Sequence, residues 1–87
     1  MSDFWKTKRR PPSLEARFEF EDYDSMRDFL DDIADVTENL DHHPNISFGR
    51  THVSIVIYPK AGDALAEIDH ELATDISKCF EQIDQQA

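Results

Sequence analysis

Two adjacent histidines, His42 and His43, followed by Pro44, close a segment of helical periodicity, and an acid, Asp69, lies within a second such segment. Imidazole, with an ordinary pKa near 6.5, can give or take a proton at neutral pH, so a histidine pair is the part of this chain best suited to acid–base chemistry. Asp41 and the two histidines offer three metal-ligand types in a row. Neighbouring histidines rarely converge on one ion, however, and no third ligand stands at the helical spacing that metal sites use, so no metal is expected. His52 and His70 read as surface or edge residues. The single cysteine, Cys79, can make neither an internal disulfide nor a thiolate cluster, so stability must come from packing, helped by self-association.

The elements that must hold these residues are legible from periodicity. Residues Ala16 to Glu21 alternate, with Ala16, Phe18 and Phe20 on one side and Arg17, Glu19 and Glu21 on the other, the pattern of a half-buried strand. From Asp24 to Leu40, Met26, Phe29, Leu30, Ile33, Ala34, Thr37 and Leu40 recur at spacings of three and four, which predicts an amphipathic helix capped by Asp24 or Asp22. The His42-His43-Pro44 loop ends it. Ile46 to Phe48 can form a short strand, Gly49-Arg50 a turn, and Thr51 to Tyr58 a longer strand with Val53, Ile55 and Ile57 facing one way. After the break at Pro59-Lys60-Ala61-Gly62, a second helix is expected from Ala64 to about Gln82, with Asp63 as N-cap and Leu65, Ile68, Leu72, Ile76, Cys79, Phe80 and Ile83 as its buried stripe. The order strand–helix–strand–strand–helix gives an α+β fold, a small antiparallel sheet with both helices packed on one face. Phe29, Ile33, Ile55 and Leu72, at the centres of their stripes, are its predicted core.

Charge narrows the partners. With 19 acids against 9 bases and a formal charge of −10, the 87-residue chain repels phosphate backbones, so nucleic acid is not expected as a partner. Its longest apolar run, around Ser54–Tyr58, is far short of the roughly 20 residues a bilayer span needs, and the N-terminus carries no segment of signal-peptide type, so no membrane association and a cytoplasmic location are expected. Lys6, Lys8, Arg9 and Arg10 nevertheless crowd the N-terminus beside Trp5 and Pro11-Pro12. Residues 1–14 therefore read as a basic, extended arm, and residues 15–87 as the folded domain. Trp5, Lys6, Lys8, Arg9 and Arg10 are the candidate binding residues for a protein partner. Open sheet edges and a small core predict a homodimer formed through those edges.

Glu38, His42, His43, Pro44, Phe48 and Asp69, in this order of elements, resemble the signature of the pterin-4a-carbinolamine dehydratases over about Leu14 to Phe80, and the arrangement of elements agrees with that family's fold. The resemblance implies a pterin pocket in which His42, His43 and Asp69 are catalytic and no cofactor is needed. Expelling the C4a hydroxyl requires a proton donor for the leaving group and a base for the ring nitrogen proton, roles that imidazoles fill. The family's third histidine corresponds to Tyr58, and a phenol with pKa near 10 is a poor proton acceptor at pH 7. The spacing from Pro44 to Phe48 is shorter than in the dehydratases, and the family's leading helix with its tryptophan has no counterpart.

A short, N-terminally trimmed branch of that family resembles the chain more closely. Its marks are a basic Arg-Pro-Pro lead, an Arg-x-Phe-x-Phe strand, a Phe-Leu helix and the run Pro44-Asn45-Ile46-Ser47-Phe48-Gly49-Arg50-Thr51. This likeness, to dehydratase-like proteins of alpha-carboxysomes, implies a non-catalytic chaperone of RuBisCO assembly in carbon fixation. Its clients would be RuBisCO subunits, and it would be cytoplasmic, with association to carboxysomes. The alternative is a working pterin-4a-carbinolamine dehydratase, a hydro-lyase using the His42/His43 pair. A dimerisation module of the transcription-cofactor kind, also known in the wider family, is the third reading.

Overall fold

The computed structural model describes residues 4–86, in the order β1 (Trp5–Arg9), β2 (Pro12–Glu19), α1 (Tyr23–Leu40), β3 (Asn45–Phe48), β4 (His52–Ile57) and α2 (Glu67–Gln86). The four strands form one antiparallel sheet ordered β1-β2-β4-β3. Both helices cover one of its faces, as the periodicity predicts.

Alternation decides which side of each strand is buried. Leu14, Ala16 and Phe18 of β2 stand opposite Ile57, Ile55 and Val53 of β4, and all six are buried. Met26, Phe29 and Ile33 of α1 and Leu72, Ala73 and Ile76 of α2 close over them. Phe29, Ile33, Ile55 and Leu72 are all in this core. Phe18 is the hub of an aromatic cluster, its ring centroid 5.0 to 5.9 Å from those of Phe4, Trp5, Phe29 and Phe80. Such offset and edge contacts add to the area that the rings bury.

Three expectations are corrected. The N-terminal segment is not an arm outside the domain: β1 pairs with β2 along its whole length, from Trp5↔Ala16 to Arg9↔Pro12. The two prolines do not prevent this, because Pro11 lies in the turn and Pro12 is the first residue of β2, a position strands tolerate for proline, beyond the part that pairs with β4. The element order thus begins with a hairpin. Helix α2 starts at Glu67 rather than Ala64, so Asp63 is exposed chain and Leu65 precedes the helix. Ala34 of the predicted α1 stripe is exposed, lying at the stripe's margin.

The two ends of α1 follow local rules. Asp22 is its N-cap, accepting the Ser25 N–H at 2.7 Å. At the other end Asp41 takes the left-handed conformation (φ 51°), its N–H bonding the Glu38 carbonyl while the next N–H, of His42, bonds that of Thr37. This is the Schellman pattern, formed here without glycine because aspartate tolerates that conformation. It fixes where His42 leaves the helix.

Candidate functional site

His42, held by the α1 C-cap, turns into the molecule: its side chain is 6% exposed, and Nε2 lies 2.7 Å from Oδ1 of Asp69, which is fully buried. Asp69 is in the first turn of α2. Its Oδ2 accepts the Ala66 N–H at 2.8 Å, a reach back to the residue before the helix that resembles half of a capping box. Its Oδ1 also accepts the Lys60 N–H at 3.0 Å. One carboxylate therefore ties together the end of α1, the loop after β4 and the start of α2. Burial alone would raise its pKa, but the bonds from Ala66, His42 and Lys60 outweigh burial and hold it below the usual carboxylate value.

Lys60 acts on this corner a second time. Its ammonium donates to the Asp41 carbonyl and lies 3.7 Å from Asp41 Oδ2. Helix α1 has no basic residue in its last turn, so Lys60 supplies from another element the cation that the negative end of the helix favours.

The ionised carboxylate can only accept, so the hydrogen between the pair sits on Nε2 of His42. The contact fixes the orientation of the ring and leaves Nδ1 as the nitrogen that does not face Asp69, an imidazole positioned by a buried acid as in acid–base catalysis. The structure thus joins His42 to Asp69, but not to His43, which is exposed. Tyr58 is 43% exposed just past β4. His43 lies two residues before β3 and Tyr58 directly after β4, so both flank the β3–β4 ladder at the end where Asn45 pairs with Val56. His52 is half-buried with its imidazole lying over Gly49, where an added Cβ would stand 2.4 Å from the ring, and His70 is exposed on α2. Neither joins the corner. No three His, Cys, Asp or Glu side chains converge as a metal site among the described residues.

The remaining candidates lie on β1 and, for Arg10, in the turn that follows it. Lys6, Lys8, Arg9 and Arg10 are exposed, whereas Trp5 is half-buried, its indole N–H donating to Ser77 Oγ of α2 at 2.7 Å. The indole is therefore a clasp between strand and helix. Sequence reasoning missed Lys60 and Ala66, whose contributions are mostly backbone N–H groups and carry no side-chain signal; Pro59-Lys60-Ala61-Gly62 reads only as a chain break.

Residues 2–79 match the family model described as pterin 4 alpha carbinolamine dehydratase. The chain belongs to that family. The match takes in β1, so the basic strand is part of the family's region. A Saccharolobus islandicus protein provisionally named pterin-4-alpha-carbinolamine dehydratase is 28% identical over 78 residues, 87% of this chain and 77% of that protein. An Azoarcus sp. protein provisionally given the same name is 32% identical over 69 residues, 79% of this chain but 59% of the relative. Among solved structures, a pterin dehydratase-like protein described as a RuBisCO assembly factor in the alpha-carboxysome superposes with a TM-score of 0.78 at 34% identity, covering 86% of this chain and 87% of that one. A transcriptional coactivator/pterin dehydratase from Brucella melitensis shares the fold, with a TM-score of 0.83 at 22% identity over 90% of this chain and 83% of that one. Among the described residues no helix is long and apolar enough to cross a membrane.

Proposed function

We propose that the protein is a RuBisCO assembly factor serving carboxysome carbon fixation, one that holds RuBisCO subunits rather than turning over a pterin. The observation that carries this reading is the 34% identity, over most of both chains, to the alpha-carboxysome assembly factor. The site is compatible with it. Of the expected catalytic set only His42 and Asp69 meet, and a tyrosine stands where the third imidazole would be needed. In this reading the buried pair is a structural clasp, and the exposed cations Lys6, Lys8 and Arg9 of β1 and Arg10 of the following turn meet the client, with Trp5 holding the strand in place. Co-expression of RuBisCO large and small subunits with and without the protein tests it. The yield of assembled RuBisCO should rise with the protein and fall back when the four cations are neutralised. Equal yield in its presence and absence would end the proposal.

A second reading, dehydration of a pterin carbinolamine, is favoured by one observation: the imidazole of His42 is oriented by a buried carboxylate that itself has three donors. A steady-state assay with the carbinolamine separates the readings. Turnover like that of an authentic dehydratase, lost on His43→Ala, would make the protein an enzyme.

A further inference from the structure

The sheet face that the helices leave open carries a feature unrelated to the histidine corner. The pairing register places Lys6, Glu15 and Val56 in one cross-strand row on that face and Arg17 and Ser54 in the next. Lys6, Glu15, Arg17 and Ser54, with Phe4 and Ala16, line a groove of about 450 Å³. The charge around it is opposite to that of the whole. Five of the nine Lys and Arg residues (Lys6, Lys8, Arg9, Arg10, Arg17) lie in residues 5–19 against two acids, Glu15 and Glu19, in a chain of net charge −10.

We propose that this groove binds a carboxylate side chain on an extended segment of a protein partner. The guanidinium of Arg17 presents a planar set of donors that matches a carboxylate, and Lys6 adds a second positive charge from the neighbouring strand. The Ser54 hydroxyl can donate from the row beyond. The existing partner of Arg17 is no obstacle: its Nε lies 3.4 Å from Glu19 Oε2 in an exposed pair, and exposed pairs exchange readily for another carboxylate. Glu15, which lines the groove opposite Lys6 and lies 3.5 Å from the Lys8 ammonium, keeps a negative charge there. It disfavours polyanions and selects an isolated acid. The inference rests on the reading of the β1–β2 side as the one that meets a partner, and it names the chemistry recognised there.

The test is a titration of the ¹⁵N-labelled full chain, followed by NMR, with the blocked peptide acetyl-Leu-Glu-Phe-amide, which carries one acid, and with its glutamine counterpart. The glutamate peptide should shift the amides of Lys6, Arg17 and Ser54 saturably. Binding should weaken about tenfold or more for the glutamine peptide, and to a similar degree with Arg17→Ala or Lys6→Ala, as expected for loss of a charge-assisted hydrogen bond. Both residues are exposed, so the variants keep the fold, which circular dichroism checks. Equal binding of the two peptides, indifference to Arg17→Ala, or shifts confined to the helices and the His42 loop would overturn the proposal. So would self-association abolished by Arg17→Ala in sedimentation, which would make a second copy the occupant, or displacement of the peptide by a single-stranded oligonucleotide of equal affinity. RuBisCO yield with Arg17→Ala is read separately: undiminished yield alongside lost peptide binding would uphold the groove while detaching it from assembly.

Discussion

At the scale of single residues, Asp69 is buried with three donors on one carboxylate. Its folded pKa is lowered, so its contribution to stability is fully present above the unfolded pKa of about 4 and is lost as pH falls from there through the folded value. Asp69→Asn should cost about 1.5–3 kcal/mol at neutral pH, read by urea denaturation, and should flatten the fall in stability below about pH 4. A variant as stable as the parent at pH 7 would mean that the corner is not held by this carboxylate. Tyr58 carries a separate prediction. If Tyr58 occupies the third imidazole position that the family resemblance implies, dehydratase turnover should be near background, and Tyr58→His should raise it by up to the roughly 10²–10⁴-fold that a positioned acid–base group typically contributes. An unchanged rate would show that the pocket lacks more than that one imidazole.

At the scale of elements, the fold depends on α1 and on the docking of β1. Phe29 is completely buried between α1 and the sheet and touches Phe18, Phe20 and Phe80 with centroids 5.1 to 6.1 Å apart. Phe29→Ala should cost about 3–5 kcal/mol in chemical denaturation. A loss below about 1 kcal/mol would mean that α1 faces another way. For β1 the diagnostic residue is Trp5, the chain's single tryptophan, whose fluorescence reports whether the strand is docked. Trp5→Phe keeps an aromatic ring against Phe18 but removes the donor to Ser77, and should cost about 0.5–1.5 kcal/mol. No measurable loss would show that this bond does not fasten the hairpin to α2.

At the scale of the whole molecule, charge is segregated: cations gather on the β1–β2 hairpin, and α1 carries closely spaced acids on its outer face. The carboxyl of Asp32 is pushed up by partial burial and by Asp28, Asp35 and Asp31, so that side of the molecule carries mutual repulsion that a cationic surface or added salt would relieve. The sheet also ends in an edge strand, β3, whose Ile46 and Phe48 share the core-facing side with Ile55 and Val53 yet are 39% and 57% exposed. Helices α1 and α2 do not reach over them. A homodimer pairing β3 edges would cover both side chains, so sedimentation at micromolar concentration should give twice the chain mass, and Phe48→Lys should return the monomer. A parent sedimenting at the 10.1 kDa of one chain would remove the dimer.

Periodicity in the sequence was sufficient for α1, β4, the core centred on Phe29, Ile33, Ile55 and Leu72, and the α+β class, because burial repeats at 3.6 or 2 residues whatever the partner element is. The histidine loop and Asp69 were also visible, as residue types. What the sequence could not decide was which histidine is used: His42 and His43 are chemically identical, and only the Schellman turn at Asp41 sends the first inward to Asp69 and leaves the second in solvent. Nor could it place residues 5–9. Their alternation of Trp5 and Thr7 with Lys6 and Lys8 is that of a strand, but a strand is stable only when its backbone groups find a partner, and that partner, β2, is established by sheet pairing rather than by local composition. Lys60 and Ala66 were invisible for the same reason. They act on Asp69 through backbone N–H groups, which every residue except proline possesses, so only the tertiary path of the chain assigns them that work.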